Sequence, residues 1–159
     1  MEQDARPHAK RFRRDKPGID PKIKNEIHKA ECHLVDTLEA YIIRGFNGFQ
    51  RKCIHEHFER TREYRVKSYR ENGDCVLKIY PVGKLRRLAE QNAQVVLMTG
   101  RPVNLPPMGA FERFVIHEYL KDREGIKTTS FGENGVDRHV EIHPLFGRNL
   151  KKARRRLTR

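Results

Sequence analysis

The chain has 159 residues, with 34 Lys and Arg against 21 Asp and Glu, a formal net charge of +13 and only 36% hydrophobic residues. That length holds one ordinary domain or two small ones, and the charge argues for a polyanionic partner, not for a particular fold. With no apolar run of transmembrane length, no signal-peptide core after Met1, and Cys32, Cys53 and Cys75 scattered without a C-x-x-C pair, the expectation is a soluble, cytoplasmic protein with no disulfide framework and no membrane partner.

Residues 1–20 mix Arg11, Arg13, Arg14 and Lys16 with Asp4, Asp15 and Asp20 and show no periodicity. They read as a basic disordered arm, for which a solubilising tail and a nucleic-acid contact fit equally well. From Pro21 a helical stripe runs through Ile23, Ile27, Ala30, Leu34 and Leu38, and Tyr41-Ile42-Ile43 follows as a short apolar run. A second helix is expected over Phe49–Phe58, capped by Asn47 with Gln50 three residues on. Ser68 to Gly73 then reads as a hairpin approach, with Leu77 to Pro81 as the returning strand.

The next stretch repeats this order. A helix with Leu85, Ala89, Asn92 and Val96 on one stripe leads to a short strand, Val103-Asn104-Leu105, stopped by Pro106-Pro107. In Phe111 to Leu120, the residues Val115, Ile116, Tyr119 and Leu120 are expected on the buried face. Arg113 and His117 are four apart, which puts them side by side about 5–6 Å apart at Cβ. They are expected on an exposed face, as paired donors for a phosphate oxygen. Ile126 to Phe131 reads as a strand, Glu133-Asn134-Gly135 as a turn, and Arg138 to His143 as an alternating strand with Val140 and Ile142 inward. Arg138 would extend the anionic track, and Phe131 and Tyr69 are placed to stack on unpaired bases. Phe49, Phe58 and Phe111 are expected in the core.

Two stretches match at a constant offset of 62, since 113 − 51 = 62: Phe49 with Phe111, Arg51 with Arg113, Ile54 with Ile116, His55 with His117 and Glu56 with Glu118. Ser68 to Gly73 matches Ser130 to Gly135 at the same offset, and Leu77 to Pro81 matches Val140 to Pro144 after one inserted residue. This reads as an internal duplication. The fold class expected is α+β, with two tandem small repeats, each of two helices packed on a three-stranded, mainly antiparallel sheet. The first copy diverges: Arg70 stands where the second has Gly132, and Cys75 where it has Arg138.

The residues Arg101 to Met108, Glu112-Arg113, His117-Glu118, Ser130-Phe131-Gly132-Glu133 and Arg138-His139-Val140 resemble the R-3-H domain, named for its Arg-x-x-x-His motif. The resemblance implies a small α/β fold that binds single-stranded nucleic acid; Gly109 departs from it, standing where a polar helix cap is usual. The C-terminal half also resembles the Jag family, in which a KH domain directly precedes an R-3-H domain. Gly45-Phe46-Asn47-Gly48 is a G-x-x-G before a helix, as in KH domains. The expected division is therefore 21–82, a divergent R-3-H-like or KH-like unit, and 83–146, an R-3-H domain.

The segment 147–159 is a basic tail with Arg148, Lys151, Lys152, Arg154, Arg155, Arg156 and Arg159 and no acid, suited to phosphates. No metal or other cofactor is expected, because His55-Glu56-His57 and Cys32-His33 have the wrong spacing for one ion on a helix. The functional expectation is a binding protein, not an enzyme. Its partner is single-stranded RNA or DNA, with ribosomal RNA among the candidates, held by Arg113, His117, Arg138 and Phe131, by Arg51 and His55, and by Arg154, Arg155 and Arg156. The alternatives are a ribosome-associated or ribosome-assembly protein and, ranked last, a metal-independent ribonuclease using histidine acid–base chemistry. Oligomeric state is not legible.

Overall fold

The computed structural model describes residues 20–145. The arm before Asp20 and the tail expected over 147–159, with Arg154, Arg155 and Arg156, lie outside the described residues.

The chain opens on α1 (Pro21–Asp36), where Asp20 accepts a hydrogen bond from the Lys22 amide and Pro21 occupies the first turn. Its stripe Ile23, Ile27, Ala30 and Leu34 is buried. The helix ends before Leu38, which packs instead against the core of the second half. After β1 (Tyr41–Ile43), α2 (Gly48–Glu59) begins at a full capping box between Asn47 and Gln50 and buries Ile54 and Phe58. Strands β2 (Arg65–Glu71) and β3 (Asp74–Tyr80) are joined by Asn72 and Gly73, with φ of 51° and 87°. Positive φ at both central residues is what a tight hairpin turn demands, and Asn-Gly supplies it.

The second half follows as α3 (Val82–Thr99), β4 (Val103–Asn104), α4 (Ala110–Leu120), β5 (Ile126–Phe131) and β6 (His139–Pro144). Both halves thus run helix, strand, helix, strand, strand. The two sheets have orders β1-β3-β2 and β4-β6-β5, all pairs antiparallel. The register also corresponds: Val66 faces Ile79 in one sheet and Thr128 faces Ile142 in the other. The α+β class is as expected.

Each sheet gives alternate side chains to a core under its helices. One core gathers Ile23, Ile27, Ile54, Phe58, Leu77 and Ile79. The other gathers Leu85, Ala89, Val96, Ile116, Val140 and Ile142, and it also takes Tyr80 and Val82 from the junction. Fully burying one such aliphatic side chain contributes about 1.5–3 kcal/mol. Two features tie the halves together. The Gly83 amide donates to the Glu63 carbonyl at 2.8 Å, and Arg87 donates to the Glu63 carboxylate at 2.8 Å. A Cβ on Gly83 would collide with that carboxylate, so only glycine leaves it room over the start of α3.

Three expectations need correction. Phe49 is 68% exposed, because it lies off the stripe that carries Ile54 and Phe58, and nothing from the other half covers it. Tyr119 is exposed and turns toward Glu90. The turn at Asn134-Gly135 is not a tight hairpin: residues 132–138 form a wider loop in which Val136, Asp137 and Arg138 amides all donate to the Glu133 carbonyl. Arg138 is therefore the last loop residue and not part of a strand.

Candidate functional site

Helix α4 places Arg113, Ile116, His117 and Leu120 on one stripe, and that stripe faces the sheet. Arg113 is 9% exposed. The exposed donor face expected from the sequence is thus corrected: a helical stripe at spacings of three and four has a single direction, and here it is inward. The guanidinium is not left unsatisfied. It donates to the Met108 carbonyl at 2.7 Å and to the Asn134 side-chain oxygen at 2.9 Å. The Met108 amide in turn donates to the Arg138 carbonyl at 3.1 Å. Arg113 therefore joins the segment before α4 to the loop 132–138, with charge-assisted bonds where a neutral residue would have none.

His117 lies one turn further on. Its Nδ1 is 2.7 Å from the Thr128 hydroxyl and its Nε2 2.7 Å from the Ser130 hydroxyl, both on the helix-facing side of β5. Burial, and secondarily the neighbouring Arg113 charge, hold its pKa below the ordinary 6.5. At neutral pH the ring is uncharged, with one nitrogen donating and the other accepting, and hydroxyls complement either role.

In the first half, Arg51 donates to the Phe46 carbonyl at 2.6 Å, the same five-residue reach that Arg113 makes to Met108. His55 differs. Its Nδ1 lies 3.4 Å from the Glu59 carboxylate, and the position matching Thr128 is Val66, buried and without a hydroxyl.

The solvent-facing side of the second sheet carries Lys127, Thr129 and Phe131 from β5 beside His143, Glu141 and His139 from β6, in register. Phe131 is 46% exposed, edge-on to His143 at 6.2 Å between centroids. Arg138 sits at the rim of this face, partly exposed, with its Nε buried and without a partner. The sequence indicated Phe131 and Arg138. It missed Lys127, His139 and His143, although alternation along β5 and β6 puts all three on the outer side. Gly132 enters the loop with φ +90°, and its missing Cβ leaves room for the Asp137 carboxylate and backbone at 2.7 and 2.9 Å. The loop is thereby closed on itself, with Asp137 accepting from the Glu133 amide at 2.7 Å.

Glu112 reaches back over Gly109, where an added Cβ would sit 2.4 Å from its carboxylate oxygen. Burial raises the Glu112 pKa. The uncapped glycine start of α4 thus has a carboxylate beside it from within the helix, favourable at a helix N-terminus. Among the described residues, no three His, Cys, Asp or Glu side chains gather to hold a metal ion, and no helix is long and apolar enough to cross a membrane.

An arginine and a histidine four apart, locked between a proline-containing segment, a glycine loop and a strand, define an R-3-H domain, and residues 83–144 match the family model of that domain. The resemblance read from residues 101–140 is therefore established for this half of the chain. The chain is similar to the RNA-binding protein KhpB of Lactiplantibacillus plantarum, with 39% identity over 69 residues, which is 43% of this chain and 19% of that protein. The chain thus spans about a fifth of the length of the curated relative it matches.

Proposed function

We propose that the protein binds single-stranded nucleic acid, RNA foremost, through the second half. The observation that carries the reading is the R-3-H match over residues 83–144, and the RNA-binding name of the similar protein points the same way. The contact surface is the outer side of the second sheet and its rim. Phe131 offers a face for base stacking, and Lys127 and Arg138 offer charge for phosphates. Arg113 and His117 serve this surface from behind, by fixing the loop 132–138 and β5; their hydrogen bonds within the fold favour positioning over direct phosphate contact. Arg154, Arg155 and Arg156 add sequence-independent phosphate contacts.

Residues 21–82 are read as a divergent second copy, with Arg51 and His55 in an auxiliary or scaffolding role. The common element order, the corresponding register and the matched Arg51 and Arg113 bonds support this over a KH-like unit. A ribosome-associated role shares the same charge argument and differs only in partner. The ribonuclease reading ranks below both, because both ring nitrogens of His117 are already engaged by hydroxyls.

Fluorescence anisotropy with labelled single-stranded RNA, single-stranded DNA and duplex, across a salt series, tests the reading. The expected result is preference for single strands and a log–log slope of about −0.7 per phosphate neutralised. A flat salt dependence or a preference for duplex would overturn it. Co-sedimentation with ribosomal subunits that survives moderate salt would favour the ribosome-associated partner.

A further inference from the structure

The outer side of the first sheet is not free in the way the second is. Helix α4 lies across it and forms a groove between the halves. One part of the groove has a volume of about 720 Å³ and a contiguous part about 660 Å³, with Lys67, Phe111 and Phe114 common to both.

Two properties of this groove point to a ligand. The first is an aromatic series running outward. Tyr80 is buried, with Phe111 next to it at 4.3 Å between centroids. Phe114 follows at 6.1 Å and 25° from parallel to Phe111. Phe114 is 55% exposed. The stack therefore ends in a ring open to solvent, which a planar base would extend. The second property is charge. Arg62, Arg65, Lys67 and Arg86 line the groove, and none of them has an ion pair among the described residues. Its acids are already partnered: Glu59 lies 3.4 Å from His55 and Glu118 4.0 Å from Lys121. Lys67 instead stands over Phe111, 3.8 Å from the ring centroid. Unpaired cations beside outward-facing aromatic rings are what a single-stranded nucleic acid needs, the cations for phosphates and the rings for bases.

We infer that the groove between the first sheet and α4 is a second binding track for the same single strand, with Phe114 as its stacking platform and Arg62, Arg65 and Arg86 as its phosphate contacts. This rests on the proposal that the protein binds single strands. It assigns to the first half a role in binding that does not depend on its own Arg51 and His55.

The test uses the full chain and a labelled oligouridine of about 12 nucleotides. Phe114→Ala should weaken binding about tenfold with little change in salt slope, since it removes stacking and no charge. The triple variant Arg62→Glu, Arg65→Glu, Arg86→Glu should weaken it further and flatten the slope. The control is Lys22→Glu, Lys24→Glu, Lys29→Glu on α1, which contributes no residue to the groove. It carries the same change in net charge and should cost distinctly less. All the changed side chains are exposed, and circular dichroism checks that each variant folds. If the wild-type chain binds but the groove variants match wild type and control, the groove is overturned and the R-3-H reading stands. If Phe114→Ala changes only the sedimentation behaviour, the groove joins two copies of the chain and the inference is wrong. Failure of the wild-type chain to bind any single strand removes both.

Discussion

Asn72-Gly73 and Asn134-Gly135 are the same dipeptide at equivalent places in the two halves, put to different uses. In the first half both residues take positive φ and make the turn itself, with Glu71 and Asp74 paired on either side. In the second half the loop is wider, and the Asn134 side chain is turned in to accept from Arg113. Arg51 and Arg113 both bond the carbonyl five residues upstream, but only Arg113 has a partner across the fold. The same division separates the histidines. His117 spans two hydroxyls on β5, whereas His55 faces a glutamate of its own helix. What the halves share is the attachment of a helix to its preceding strand. What distinguishes the second is that its helix also governs the hairpin, and a governed hairpin is what a binding surface at the sheet rim requires.

The largest test of that contrast is a pair of arginine variants. Arg113→Ala should cost about 3 kcal/mol or more, because it abandons two charge-assisted bonds in a buried place, each worth about 1.5–3 kcal/mol. Arg51→Ala, with one such bond and partial exposure, should cost about half as much. Urea unfolding of both variants measures this, and equal losses would mean that the Asn134 bond adds nothing.

A smaller effect sharpens the histidine difference. Thr128→Val gives β5 the residue found at Val66 and strips His117 of one hydroxyl, for a loss of about 1 kcal/mol at neutral pH. The pH dependence has a definite sign. The folded pKa of His117 is depressed, so above about 6.5 the ring is neutral in both states and its contribution is complete. As pH falls below that value the unfolded chain takes up the proton first, and stability is lost until the folded value is passed. His117→Gln should remove that part of the acid sensitivity; an unchanged profile would assign the sensitivity elsewhere. The smallest effect is expected from Gly109→Ser. The backbone there, φ −64° and ψ 169°, already suits a cap, and once the Glu112 carboxylate shifts aside the gain should be a few tenths of a kcal/mol in thermal unfolding.

Much of the fold was legible. The stripes of α1 and α3, the capping box of α2, the Asn-Gly turn of the first hairpin and the alternation of β6 are local patterns, and local physics decides them. Arg113 and His117 were legible as a motif but not as buried groups. They share a stripe with Ile116 and Leu120, yet side-chain charge argued for solvent, and the partners that make burial tolerable lie elsewhere in the chain, at Met108, Asn134, Thr128 and Ser130. Phe49 and Phe111 hold equivalent positions and differ because Lys67 and Tyr80 cover only Phe111. That is a consequence of how the halves meet, which no window of sequence contains.

Pro81 alone stands between β3 and α3. Tyr80 ends a strand of the first sheet, yet its ring belongs to the core of the second half, together with Leu38, Ala40 and Tyr69 at its margin. The boundary at which the R-3-H match begins therefore divides the sequence without dividing the packing. Cutting the chain there would leave an apolar scar on one fragment and an unfilled seat on the other. The intact chain, having no slack between its halves, should melt in one transition and carry a strand bound on one half in fixed orientation to the other.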